Sequence, residues 1–554
     1  MDEGAVDFSH FLRYKELCRQ IRDLARRRPD LAKVRSIGRT PEGRDILLLE
    51  ITNPFTAPAE DKPVYLVHGN IHACELSGSA CALYLARYLM VHAEDDAVVA
   101  RLLERIAFHI IPRVSADGAE HVLTTQHPVR SREHWLKRKN CIWPEDINGD
   151  GHIHRMRVPD PNGLWFSPDE EPRLLTPRLP GEEGGRRYHV TTEGFIHDWD
   201  GGAWEDPATI PLDFNRNWAA QWRARHEQGG AGDYPFSEPE VRALADHILA
   251  APNIFGVFGL HNGTNAILRP PTASGDDQVL AADMLAFRRL AALGSAITGF
   301  PPKAIHEYRN VLAQPLYLSG TFTEWGYRHR GLFAMEIELG NLYNGVGYDT
   351  ERIFSLTPED ERQRDWDCLA WHDAHPEAGV FAEWQAVDHP QLGRVEVGGM
   401  LPEGLYNVVP GERPDVWEKT RRFICELAGR GPRLELSRVR VETLGERLFK
   451  VSCRVANEGS LPTHVTALGA SLTHIDGVRV EIERRGEVVF VANRNRIEVG
   501  HLAASEYRDI EWVVQTAAGS GLSIVAHAPR AGRCEVDVTF DGHTGASETR
   551  GETI

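Results

Sequence analysis

Apolar positions along the chain switch between two periods, and the switches mark its elements. Phe8, Leu12, Leu17, Ile21 and Leu24 recur at three-to-five spacing, which predicts a helix ending before Pro29. Lys33 to Ile37 alternates, Asp45 to Ile51 is a nearly continuous apolar run, and Pro41-Glu42-Gly43 between them is turn chemistry, so a hairpin is expected. Pro63 to Val67 then runs apolar into a small-residue turn. Leu76 to Tyr88, rich in Ala, Leu and Ser, predicts a helix lying close against a sheet, and Ile106 to Ile111 predicts another buried strand. Ser237 and Glu240 have capping-box spacing ahead of a helix to Ala250. A strand at Gly256 to His261, a helix at Asp277 to Ala291 and a strand at Phe333 to Leu339 follow, and helices at Leu356 to Trp371 and Asp415 to Leu427 close the unit. Strand and helix in alternation predict an α/β fold with a mixed central sheet flanked by helices.

Two regions depart from this alternation. Residues 119–211 are polar, with Pro and Gly throughout, and read as a long irregular insertion of the kind that forms lids or binding loops. Past Gly431 come short alternating segments: Leu448 to Val455, Val478 to Ile482, Val488 to Ala492 and Ile510 to Val514, separated by turns. That texture predicts a smaller all-β sandwich over residues 431–554 after a unit at 1–430, and no ligands or nucleophile gather in it. Partner contacts or self-association are its expected uses.

Composition narrows the function classes. The 554 residues are 42% hydrophobic and 26% charged, as in a folded globular protein of two or three domains. A formal charge of −18 opposes binding to nucleic acid or anionic membrane and leaves peptides or small amides as substrates. Without a signal-like N-terminus or a long apolar run, a cytoplasmic location is expected. The eight cysteines lack close pairs and read as reduced.

The chemistry gathers at Val67-His68-Gly69-Asn70-Ile71-His72-Ala73-Cys74-Glu75. His72 and Glu75, three apart where the helix begins, can offer an imidazole nitrogen and a carboxylate to one cation, and that ligand pair suggests zinc. His68 is the alternative first ligand, and Cys74 points elsewhere and packs. His261 ends an apolar strand, where ligands collect in open α/β sheets, and is the expected third ligand. Leu212-Asp213-Phe214-Asn215-Arg216-Asn217-Trp218 sets an amide beside a guanidinium, and Phe333-Ala334-Met335-Glu336-Ile337-Glu338-Leu339 carries carboxylates on an apolar strand.

In that order and with those residue types, the four stretches resemble the zinc metallocarboxypeptidases, the funnelin superfamily, over roughly residues 8–430. The resemblance implies that His72, Glu75 and His261 bind zinc, that Asn215 and Arg216 hold a substrate's terminal carboxylate, and that Glu338 is the general base. It also implies an electrophilic arginine in the long insertion. Arg130, Arg132 and Arg138 qualify, and Arg138, between Trp135 and Lys139, matches the family best. Tyr317 stands near the place of the family's mobile tyrosine. The residue two before the base lines the pocket for the last side chain in pancreatic-type relatives. Here it is Glu336, on the same strand face as Glu338, which implies a preference for C-terminal Lys or Arg unless Arg269 or Arg328 pairs with it. The alternatives are a zinc amidohydrolase or deacylase on a small amide, and an inactive carboxylate-binding protein.

Asp146-Ile147-Asn148-Gly149-Asp150-Gly151 has the oxygen-ligand spacing and glycine of a calcium loop, with Asp146, Asn148 and Asp150 as ligands. Arg157 stands where such a loop has its bidentate Glu, and a turn held by Asx side chains alone is the other reading.

Overall fold

A computed structural model describes residue 8 and residues 10–308, 318–540 and 550–552 of the chain. Tyr317 lies outside the described residues.

The central sheet has eight strands in the order Ala32–Arg39, Asp45–Ile51, Ala107–Ile111, Val64–Gly69, Ile254–His261, Phe333–Glu338, Ala266–Arg269, Pro302–Ala304. The three middle strands, Val64–Gly69, Ile254–His261 and Phe333–Glu338, are parallel, while Asp45–Ile51 and Ala266–Arg269 pair antiparallel with their neighbours nearer the centre, so the sheet is mixed. The middle strands are buried along almost their whole length because helices cover both faces, and they are apolar except near their carboxyl ends, where His68, His261, Glu336 and Glu338 stand. Tyr14–Arg27, Leu76–Val91, Ala281–Thr298 and Arg413–Ala428 pack on one face, and Pro239–Ala250 and Phe322–Arg330 on the other. Helix and sheet approach closely: a Cβ on Gly78 would lie 2.6 Å from the carbonyl of Leu260, and one on Gly69 would lie 2.5 Å from the carbonyl of Gly78. This is the α/β architecture the periodicity predicts.

The polar insertion is not an irregular loop. A helix occupies Ala116–Thr125, and Arg155–Pro159, Trp165–Ser167, Thr176–Pro177 and Arg186–Thr192 join the distant hairpin Phe381–His389 and Gly393–Met400 in a six-stranded sheet. Its own strands are short and half polar, and only Arg155–Pro159 pairs with the distant hairpin while the others pair with one another, so no local period announces the sheet.

After Arg413–Ala428 the chain forms two facing antiparallel sheets of four and five strands. They share a core that includes Phe449, Trp512, Ile524 and Val536, a smaller β unit as the turn spacing predicts. All eight cysteines are free and buried. Among the described residues no helix is long and apolar enough to cross a membrane.

Candidate active site

The strand Val64–Gly69 breaks at Asn70, which takes a left-handed φ of 56° that Asn tolerates better than most residues. Its Nδ2 donates to the carbonyls of His72, Ala73 and Glu75 at 2.6, 3.2 and 3.1 Å. This fixes a tight turn, so His72 and Glu75 stand before the helix Leu76–Val91, with Glu75 at its N-cap, and not inside its first turn. The register of the parallel strands does the rest. His261 lies directly beside Glu338, and Gly259 lies between Glu336 and His68, all at the carboxyl end of the sheet.

The turn and the strand ends meet in one buried cluster. His72 Nδ1 is 2.8 Å from Glu75 Oε1, and His261 Nδ1 is 3.2 Å from both His72 Nδ1 and Glu75 Oε2. On its far side, His72 Nε2 faces Asp213 Oδ1 at 3.2 Å. That partner sets Nε2 as the protonated nitrogen and leaves the Nδ1 lone pair pointing into the cluster. His261 Nε2 lies 3.5 Å from Glu336 Oε1, an ion-pair distance without hydrogen-bond geometry. Two imidazole nitrogens this close, beside a carboxylate, call for a cation between them. Ligand atoms on a tetrahedral zinc stand about 3.3 Å apart, so the donor set and spacing fit that ion. Burial opposes charge on His261, yet Glu336 and Glu75 hold its pKa well above the usual histidine value, while the histidines outweigh burial at Glu75 and hold it low. His68 has both ring nitrogens buried without a partner among the described residues, and burial lowers its pKa to about 3. It packs edge-on against Phe322 and is not one of the three convergent donors.

Asp213 was not singled out in the sequence, although it stands two residues before the amide. It accepts from His72, from the backbone of Asn215 at 2.8 Å and from Arg130 Nε at 3.2 Å. Burial would raise its pKa, but Arg216 and Arg130 together hold it well below the carboxylate range. Asn215 donates Nδ2 to Glu336 Oε1 at 3.3 Å and accepts from the Phe322 amide at 2.8 Å. Arg216 donates to the carbonyl of Asn215 at 2.6 Å, and its other nitrogen is 3.8 Å from Asp213.

Arg138, the expected choice, is exposed, and its carbonyl accepts from the Cys141 amide. Arg132 is spent on Glu238 and Glu240. Arg130 is the arginine at the cluster, 2.9 Å from Glu75 Oε1, with 47% of its side chain still open to solvent. Ser131 explains the placement: its hydroxyl donates to Ile71, its amide donates to Leu212, and it accepts from Phe214, so Arg130 and Asp213 are held against the His72 turn. These bonds join residues far apart in sequence, and no local signal carries them.

Glu338 Oε2 is buried with no hydrogen-bond partner among the described residues. Burial and the nearby carboxylate of Glu75 push its pKa up to about 8. Tyr308 stands beside it, with its hydroxyl accepting from the Thr264 amide at 2.8 Å, and a side chain on Gly263 would strike both Tyr308 and Glu338. Glu336 is 3% exposed. Arg269 and Arg328, the internal cations that could have matched it, pair instead with Asp276 and Glu324.

In the loop at Asp146, both carboxylate oxygens accept backbone amides, from Gly149 at 2.7 Å and Gly151 at 2.8 Å. Asn148 turns Nδ2 toward Asp150 and Gln385, and Asp150 accepts from His154 Nε2 at 2.8 Å. These are Asx-turn bonds complete within the protein, and Arg157 pairs with Glu396.

Residues 17–360 match the family described as zinc carboxypeptidase, and residues 433–539 match a domain of unknown function. Human carboxypeptidase Z is 32% identical over 116 residues, 21% of this chain and 18% of that protein. Carboxypeptidase B of Astacus astacus is 23% identical over 29% of this chain and 46% of its own. This chain therefore spans less than half the length of either. Among solved structures, carboxypeptidase A from Helicoverpa armigera aligns with 67% of this chain and 75% of its own, at 18% identity and a TM-score of 0.40.

Proposed function

The chain belongs to the zinc carboxypeptidase family, and from that premise we propose that it is a metal-dependent carboxypeptidase that releases the C-terminal residue of peptides. The observation that carries the reading is the convergence of His72 Nδ1, Glu75 and His261 Nδ1 within 3.2 Å of one another, beside Glu338, whose buried Oε2 has no hydrogen-bond partner among the described residues. We assign zinc to His72, Glu75 and His261. When bound there, zinc supplies Lewis acidity toward a carbonyl oxygen and lowers the pKa of water.

The remaining roles fall to the chain's own side chains. Asp213 orients His72 through Nε2. Glu338, with its pKa raised toward neutrality, accepts a proton from the attacking water and returns it to the leaving amine nitrogen. Arg130, not Arg138, offers a guanidinium to the oxyanion from the open side of the cluster. Asn215 and Arg216 orient the substrate through its terminal carboxylate. A preference for C-terminal Lys or Arg belongs to the proposal, because neither Arg269 nor Arg328 pairs with Glu336, whose Asn215 and His261 contacts both fall on Oε1. Calcium is not part of it, since the Asp146 loop completes its own bonds.

The test pairs metal analysis with hydrolysis of a peptide and of its C-terminal amide. One zinc per chain, cleavage of the free acid and little of the amide are expected. His261→Ala should lose zinc, and Glu338→Gln should keep zinc and lose turnover. Equal cleavage of acid and amide would point to the amidohydrolase reading.

A further inference from the structure

A cavity of about 280 Å³ lies where the insertion strands meet the hairpin at Phe381–Met400 and the helix Pro358–Ala374. A second, of about 380 Å³, adjoins it, and Arg155, Met400, Leu405 and Tyr406 line both. Tyr406 ties this space to the active site. Its carbonyl accepts from Asn262 Nδ2 at 3.1 Å, and the Asn262 amide donates to Glu75 Oε2 at 3.1 Å. Its phenol is within electrostatic reach of both Arg130 and Arg155.

Charge in the cavity wall is unevenly matched. Arg364 pairs with Asp365 at 2.9 Å, and Arg173 with Glu171 and Asp373 at 2.7 Å each. Arg155 is half-buried and stacks its guanidinium on Trp165 at 4.6 Å; Asp365, already paired with Arg364, lies within its electrostatic reach, but no ion pair to a carboxylate forms at Arg155 among the described residues. A guanidinium fixed in its plane by an aromatic ring and stripped of part of its water is arranged for two parallel hydrogen bonds to a carboxylate.

We propose that this cavity binds an acidic side chain of the peptide substrate, a Glu or Asp on the amino-terminal side of the bond cut, with Arg155 as the residue that selects it. The inference rests on the carboxypeptidase reading. In that reading the peptide ends at Asn215 and Arg216, which reach the cluster through Asp213 and Glu336, whereas the cavity reaches it through Asn262 and Glu75. Chain that extends past the cluster away from the clamp is the amino-terminal part of the substrate. The insertion sheet then serves as a recognition wall.

The experiment uses zinc-loaded full-length Glu338→Gln, in which turnover is suppressed, and titrates calorimetrically a set of hexapeptides with one Glu stepped through the second to fourth positions from the C-terminus. Each is compared with its Gln counterpart. One Glu position should bind at least tenfold more tightly than Gln. That advantage should vanish when Arg155→Ala is added and persist in part with Arg155→Lys; Arg155→Gln replaces the alanine variant if the latter does not fold. No advantage for Glu at any position, or one that survives loss of the guanidinium, overturns the proposal. Turnover of the same peptides by the native enzyme is read separately. If nothing is released from any of them, the carboxypeptidase reading falls, whereas intact turnover without a Glu advantage overturns this inference alone.

Discussion

At the scale of single residues, the site depends on partners that hold other groups in place. Asp213 touches both His72 and Arg130, so its removal frees the tautomer of one and the position of the other. Asp213→Ala should weaken zinc binding by roughly 10–100-fold, read by competition with a chromophoric chelator; an unchanged affinity would refute its orienting role. Glu338 yields a prediction about pH. Its pKa rises from the ordinary 4.5 to about 8 in the folded, metal-free protein, so the native state holds a proton that the unfolded chain gives up. Its contribution is full below pH 4.5 and is lost as pH rises to about 8. The metal-free protein should therefore lose stability across that window, and Glu338→Gln, neutral throughout, should lose less. Parallel thermal-unfolding curves for the two across that range would contradict the assignment.

At the scale of elements, what the sequence reveals is what a local period can carry. Asp45–Ile51 was legible to the residue because a buried strand is a continuous apolar run, and His261 was legible because it ends such a run, whereas Glu338, on a strand read on to Leu339, came to the site through the resemblance. The capping box at Ser237 and Glu240 failed for an opposite reason. The helix starts at Pro239 with Glu238 as N-cap, and Glu240 turns to Arg132 while Ser237 bonds to Asn217 and Glu238. A buried ion pair from another element outcompeted a surface cap worth about 1 kcal/mol. Arg130 and Arg138 show the same limit: both are loop arginines in sequence, and only the bonds of Ser131 to Ile71, Leu212 and Phe214 distinguish them. The strand Leu434–Gly445 was missed because its register shifts between Ser437 and Arg440, where Arg438 takes a φ of 50°, so the alternation breaks in mid-strand.

At the scale of the molecule, the C-terminal sheets do more than present a surface for partners. Asp283, buried in the helix Ala281–Thr298, accepts the half-buried amides of Ala467 at 2.6 Å and Leu468 at 3.0 Å and the buried hydroxyl of Tyr327 at 2.9 Å. Nearby, Arg530 donates to the carbonyls of Arg330 at 2.6 Å and Gly331 at 3.2 Å, and burial lowers its pKa to about 9. Gly331, at φ 59°, meets Gly469 so closely that a Cβ would stand 2.6 Å from its Cα. These contacts grip the end of the helix Phe322–Arg330, and the strand bearing Glu338 begins two residues later at Phe333. The β unit thereby buttresses the strand that positions the proposed base. Asp283→Ala would leave a buried phenol and two half-buried amides unpaired, and an unsatisfied buried donor costs about 1–3 kcal/mol before relaxation, less where water reaches it. A loss of about 2–4 kcal/mol is expected in denaturant unfolding, together with a fall in kcat at unchanged zinc content, because the displaced strand carries Glu338 and none of the three cation ligands. A variant as stable and as active as the native protein would show that the two units merely touch.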